Sequence, residues 1–177
     1  MIRMKFKDIQ QLTQIGSYQV NMPIKHFKQW IDENIDDGLQ LNPAFQRGHI
    51  WNPDQQSSYI EFLLKGGQSG RVIYFNCPSW LNRSYLKKYE YNDFVCVDGL
   101  QRTNAILAFL DNEIKAFGLY YNQFEDKIPF DVNVLINVNN LKTEKEVLTW
   151  YVEMNAGGTP HTKEEIEKVK RMIADCE

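Results

Sequence analysis

The sequence predicts a mixed α+β domain, a small mixed sheet flanked by helices. Three observations carry this. Short β-branched and aromatic runs, 71–75, 93–97 and 130–138, are bounded by turn residues. Between them lie segments whose apolar residues recur at helical spacing. The two kinds of segment are interspersed along the chain, which places both in one layered domain. The 177 residues suit a single domain over 1–177.

The elements follow in order. Residues 1–24 mix polar and apolar side chains, with Val20 and Met22 on one face of a short strand. Ile24, Phe27, Trp30, Ile31 and Ile35 then mark an amphipathic helix that Asp36-Asp37-Gly38 stops. Residues 39–51 hold too many helix breakers and read as an extended loop. Asn52 caps a second helix with Pro53 at its first position and Tyr59, Ile60, Phe62, Leu63 and Leu64 on its apolar side. Residues 78–92 form a polar, tyrosine-rich excursion between two strands. A third helix follows Asp98-Gly99 and carries Ala105, Ile106, Ala108, Phe109 and Leu110. Residues 114–124 suggest a strand or hairpin. Phe130, Val132, Val134, Ile136 and Val138 alternate as on one face of a half-buried strand. Thr143 with Glu146, and Thr162 with Glu165, are capping boxes for the last two helices.

Composition removes several function classes. The apolar fraction is 43%, the charged fraction 24% and the net charge −3, so the chain is neither disordered nor a disulfide miniprotein. A sequence pI near 5.7 argues against a protein that wraps nucleic acid by bulk charge. No apolar run has the roughly 18 residues of a membrane span, and no secretory signal opens the chain, so a cytoplasmic location is expected. Cys77, Cys96 and Cys176 are scattered; the first two sit in apolar runs as small hydrophobes, and no zinc spacing occurs.

Three segments could carry chemistry. In Val97-Asp98-Gly99-Leu100-Gln101-Arg102-Thr103 a strand turns at a glycine into a helix, whose free N–H groups suit an anion. Gln101 and Arg102 add donors there. Asp98 serves either as a helix cap or as a ligand for a divalent metal bridging to a phosphate; a plain strand–helix turn is the bland alternative. In Phe45-Gln46-Arg47, close before Trp51, an arginine can act as a phosphate fork or stack on an aromatic ring at the surface. In Asn155-Ala156-Gly157-Gly158-Thr159-Pro160 two glycines permit an anion nest or simply join two helices. None of these is a Walker loop or a dinucleotide fingerprint.

In this order the three segments, with Glu164-Glu165 after the last, resemble the ParB/sulfiredoxin-like domain of unknown function, family 262. That domain forms the N-terminal part of GmrSD-type restriction enzymes, which attack modified phage DNA. The similarity covers about residues 20–170. It implies a ParB-like fold and nucleotide binding, and several members hydrolyse nucleoside triphosphates. Carried over residue by residue, Asp98, Gln101 and Arg102 would be catalytic. Gln46, Arg47, Gly99, Gln101, Arg102, Thr103, Asn155, Gly157, Gly158 and Thr159 would bind the nucleotide, and Asp98 would hold Mg2+. Sulfiredoxin has a catalytic cysteine in the turn where this chain has Leu100, which removes sulfinic acid reduction. No His-Asn-His spacing is visible, so DNA cleavage by this chain alone is not expected. Three functions remain open: a Mg-dependent nucleoside triphosphatase linked to restriction and phage defence, a nucleotide-gated binding module, and a non-catalytic interaction protein acting on a host or phage complex. DNA and a partner protein are possible partners in each.

Overall fold

The structure, a computed structural model, describes residues 5, 9, 12–13, 18–80, 91–155 and 163–176, with side chains of the last segment from residue 167. The elements run β1 (Tyr18–Pro23), α1 (Ile24–Asp36), β2 (Leu39–Gln40), α2 (Pro53–Leu64), β3 (Val72–Asn76), β4 (Phe94–Asp98), α3 (Leu100–Leu110), β5 (Asn133–Asn139), α4 (Glu144–Asn155) and α5 (Lys163–Asp175). They form a mixed α/β fold around one five-stranded sheet of order β1-β5-β3-β4-β2. β1 pairs antiparallel with β5, β5 parallel with β3, β3 antiparallel with β4, and β4 parallel with β2. The three strands expected from the sequence share this sheet.

Alternation of side chains across the strands explains the layers. Cys96, Ile73, Phe75, Val134 and Ile136 pack with Ile24, Phe27, Ile60, Leu63, Ile106 and Phe109 of α1, α2 and α3. Val95 and Val97 join a second cluster with Val147, Leu148, Trp150 and Tyr151 of α4 and Val169 of α5. β4 is therefore buried on both sides, which is why its sequence is continuously apolar.

Local chemistry sets several boundaries as expected. Asn52 Oδ1 accepts from the Gln55 N–H at 2.9 Å while Gln55 Oε1 accepts from the Asn52 N–H at 3.0 Å, a reciprocal cap for α2. Thr143 and Glu146 do the same for α4, at 3.0 and 3.2 Å. The Thr162–Glu165 box, the loop 156–160 and the side chains of Glu164 and Glu165 lie outside the described residues.

Other expectations are corrected. The last strand starts at Asn133, not 130: Phe130 is 66% exposed with Lys25 over its ring, because Pro129 and a turn at Val132 precede the ladder. Of the strand or hairpin expected at 114–124 the structure has a minimal hairpin, Ala116 and Leu119 bridged antiparallel by reciprocal backbone hydrogen bonds of 2.9 and 3.0 Å, followed by a short 3-10 turn at Tyr121–Gln123. Leu39–Gln40 leaves the loop 39–51 to add a short edge strand on β4. Cys96 is buried, but Cys77 is only half-buried. Among the described residues no helix is long and apolar enough to cross a membrane.

Asn76, fully buried at the end of β3, clamps the chain that leaves β5. Its Nδ2 donates to the Leu141 carbonyl at 3.1 Å and its Oδ1 accepts from the Leu141 N–H at 2.8 Å. Asn76→Ala orphans both backbone groups, each worth about 1–3 kcal/mol when buried without a partner. Urea unfolding of this variant is expected to show a loss of that size; an unchanged midpoint would refute the clamp.

Candidate functional site

The site is built on the turn from β4 to α3. Phe75 pairs with Cys96 but Tyr74 pairs with Asp98, so the ladder slips by one residue where β4 ends. Such an irregularity re-aims the next side chains. Gly99 follows with φ +110°, a conformation that L side chains rarely adopt, and acts as the N-cap of α3. A Cβ there would lie 2.9 Å from Ile73 Cγ2. Glycine is thus required twice, for its backbone angle and for its close approach.

Asp98 is not the cap. No side chain among the described residues caps α3, whose first N–H groups have no intrahelical partners. The Asp98 carboxylate instead pairs with Arg102 one helical turn on. Arg102 Nη1 also donates to the Val72 carbonyl at 2.6 Å, tying α3 to β3. The Arg102 side chain is 19% exposed and that of Asp98 32%, so both ends of the pair remain reachable from solvent. The expected free phosphate fork at Arg102 is a structural tie whose guanidinium lines the cleft.

The two glutamines are staples. Gln46 Nε2 donates to the carbonyls of Cys96 and Val97, at 3.1 and 2.9 Å. Gln101 Oε1 accepts from the N–H groups of Ile50 and Trp51, at 2.9 and 3.1 Å, and its Nε2 donates to the Gly48 carbonyl at 2.6 Å. Together they lay the loop 45–51 over the β4–α3 turn. Phe45 is buried against Tyr151, ring centroids 5.1 Å apart, and Lys168 Nζ donates to the Ala44 carbonyl at 2.8 Å. The loop is therefore held from the sheet, from α4 and from α5.

Between these anchors Arg47 is half-buried and has no hydrogen-bond or ion-pair partner among the described residues. It lines a cleft of about 580 Å³ together with Gln46, Asp98, Gly99, Gln101, Arg102 and Asn155. Arg47, Arg102 and Asn155 thus converge as the sequence reading requires, although each pair is far apart in the chain. Asn155 Nδ2 donates to the Tyr151 carbonyl at 2.7 Å. Gly157, Gly158 and Thr159 lie outside the described residues. Thr103 is corrected: it is 0% exposed, faces the core and does not line the cleft, because one residue beyond Arg102 the helix has turned inward.

Trp51, Tyr59, Phe62, Ser69, Gly70, Leu100, Tyr151 and Met154 complete the wall. The sequence reading placed Tyr59 and Phe62 with the core. The available signal was Phe62, which is off the buried stripe of Gln56, Tyr59, Ile60 and Leu63 and is 40% exposed. Burial pushes the Tyr59 hydroxyl up to about 12, and the positive charges of Arg102 and Arg71 pull it back. Arg71 is itself buried, hydrogen-bonded to the carbonyls of Gly67 and Asp131 and to Asn133, with no carboxylate partner among the described residues. Two cations beside Tyr59 and the unpaired Arg47 give this end of the sheet a positive field.

The donor set suits Mg2+ in one limited way. Asp98 is the one carboxylate among the described residues lining the cleft. One of its oxygens pairs with Arg102 and the other has no donor among the described residues. Mg2+ commonly takes one or two carboxylates and completes its shell with phosphate oxygens and water. No group of three or more His, Cys, Asp or Glu occurs among the described residues, so a preformed protein cage is not what the site offers.

A scan against protein-family models and searches of curated proteins and of solved structures returned no match for this chain.

Two measurements test this geometry. Gly99→Ala is expected to cost about 1–3 kcal/mol in thermal or urea unfolding through backbone strain alone, with the Ile73 contact in addition. Stability is expected to fall as pH rises from about 10 toward 12, because folding keeps Tyr59 protonated while the unfolded chain ionises near its ordinary value. Tyr59→Phe flattens that decline; if the alkaline limb is identical in both proteins, the burial argument for Tyr59 is wrong.

Proposed function

We propose that the cleft binds the phosphates of a nucleoside triphosphate and supports slow Mg-dependent hydrolysis, within a ParB/sulfiredoxin-like fold. The supporting observation is the half-buried Arg47 guanidinium, without a partner among the described residues, in the same cleft as the uncapped N-terminus of α3. An unpaired cation and free helix amides attract the same ligand, an anion rich in oxygens. The volume, about 580 Å³, falls within the roughly 300–1,000 Å³ usual for small-molecule sites. Trp51 and Phe62, the less buried aromatic residues of the wall, offer ring surface for a base.

The roles divide as follows. Arg47 and the amides after Gly99 hold phosphate oxygens, Arg102 adds charge from the floor, and Gln46 and Gln101 keep Arg47 in place. Bound Mg2+ would neutralise phosphate charge beside Asp98. Phosphoryl transfer depends mainly on positioning and charge neutralisation, which these groups supply. One observation favours a nucleotide-gated binding module as the second reading: Asp98, the one carboxylate near the phosphates, is paired with Arg102 rather than placed to orient water. A role in restriction or phage defence, with DNA or a protein as partner, rests on the motif resemblance.

Arg47→Ala and Arg102→Ala separate charge from scaffold. Arg47→Ala is expected to weaken triphosphate binding by roughly ten- to a hundredfold, the loss of a charge-assisted hydrogen-bond pair, while the melting temperature holds. Arg102→Ala is expected to lower both, since it breaks the ties to Val72 and Asp98. Calorimetry with ATP, GTP, CTP and UTP, with and without Mg2+, gives the affinities. Phosphate release distinguishes the hydrolase from the binding module. Absence of binding by all four nucleotides sinks both.

A further inference from the structure

A second cavity lies at the opposite end of β3 and β4 from the cleft, where β3 finishes and β4 begins. It holds about 310 Å³ and is lined by the rings of Tyr18, Trp30, Trp80 and Phe94 and by the carboxylates of Asp37 and Asp93. Tyr18 and Trp80 approach to 5.5 Å between ring centroids, and Trp30 and Phe94 to 6.5 Å. Among the described residues lining it there is no Lys, Arg or His. The Trp80 indole N–H is buried and has no hydrogen-bond partner among the described residues.

We propose that this cavity binds a small organic cation with a quaternary ammonium head. Ring faces carry negative electrostatic potential and attract a cation, most strongly the indole ring. A quaternary ammonium has no N–H and cannot satisfy a carboxylate by hydrogen bonding, so it suits a pocket that surrounds it with rings and places negative charge nearby. An inorganic cation needs a shell of oxygens instead, which rings do not provide. Two of the four rings are already anchored: Trp30 stacks on Phe27 and meets Phe75 edge-on, and Phe94 also packs on Phe75, so half of the wall is preorganised by the core. The proposal is independent of the nucleotide reading, because no lining residue is shared between the two cavities.

The probe is choline, which carries both a trimethylammonium head and a hydroxyl, with its neutral isostere 3,3-dimethylbutanol as control. Tryptophan fluorescence and calorimetry on the full chain are expected to show saturable choline binding, at least tenfold tighter than the isostere. Asp93→Asn, at an exposed position, is expected to weaken choline about threefold to tenfold with the melting temperature unchanged. Trp80→Leu is expected to abolish the signal. Equal binding of choline and the isostere would mean an apolar pocket and overturn the proposal, as would no saturation by choline. The segment 81–90, outside the described residues, contains Arg83, Lys87 and Lys88. If their triple Gln variant gains choline binding that the parent lacks, the cage serves the chain's own cation and the proposal falls.

Discussion

The turn at Gly99 is the constraint on which the site depends. Its left-handed backbone ends β4 and starts α3 within one residue, and its missing Cβ lets the turn sit against Ile73. Because the N-cap is a glycine it has no side chain to offer, and among the described residues no other side chain caps the first amides of α3. The same tightness places Asp98 and Arg102 one turn apart on the same side, where they pair. A looser turn would bring in a cap, cover the amides and separate the pair.

Around that turn the protein uses polar side chains as fasteners more than as ligands. Gln46 reaches across to β4 and Gln101 reaches back to the loop, so two residues about fifty positions apart hold one loop from opposite directions. The effect is to exempt Arg47. Gln46 and Gln101 are both engaged with backbone, and the guanidinium between them has no partner among the described residues. A half-buried arginine with no partner among the described residues costs desolvation and side-chain entropy, a cost that an anionic ligand would offset. Arg71 and Arg102, bound to carbonyls beneath the wall, add to the field that such a ligand would meet.

The sheet separates two chemistries. At the end where β4 runs into α3 the lining is cationic and aromatic. At the other end it is aromatic and acidic, with Asp37 and Asp93 beside four rings. Antiparallel pairing of β3 and β4 puts the start of one strand beside the end of the other, so a single pair of strands supports both cavities.

How much was legible in the sequence can be argued from particular residues. Local signals sufficed wherever the physics is local. Asn52 with Gln55 and Thr143 with Glu146 cap their helices because the groups involved are three residues apart. The continuous apolar run of β4 announced burial on both faces. Gly99 was legible as a turn, and the convergence of Arg47, Arg102 and Asn155 followed from motif order. What the residues alone left open was each polar group's partner. Whether Asp98 caps or pairs depends on the backbone angle at Gly99, and whether Arg102 is free depends on the Val72 carbonyl thirty residues away. Thr103 and Phe62 were misplaced for one reason: neighbouring helix positions differ by about 100° in direction, and only the packing of α2 and α3 decides which direction is inward. Composition and spacing by themselves determined most of the elements and the residue types around the cleft; tertiary contacts decided which of those residues are fastened and left Arg47 without a partner among the described residues.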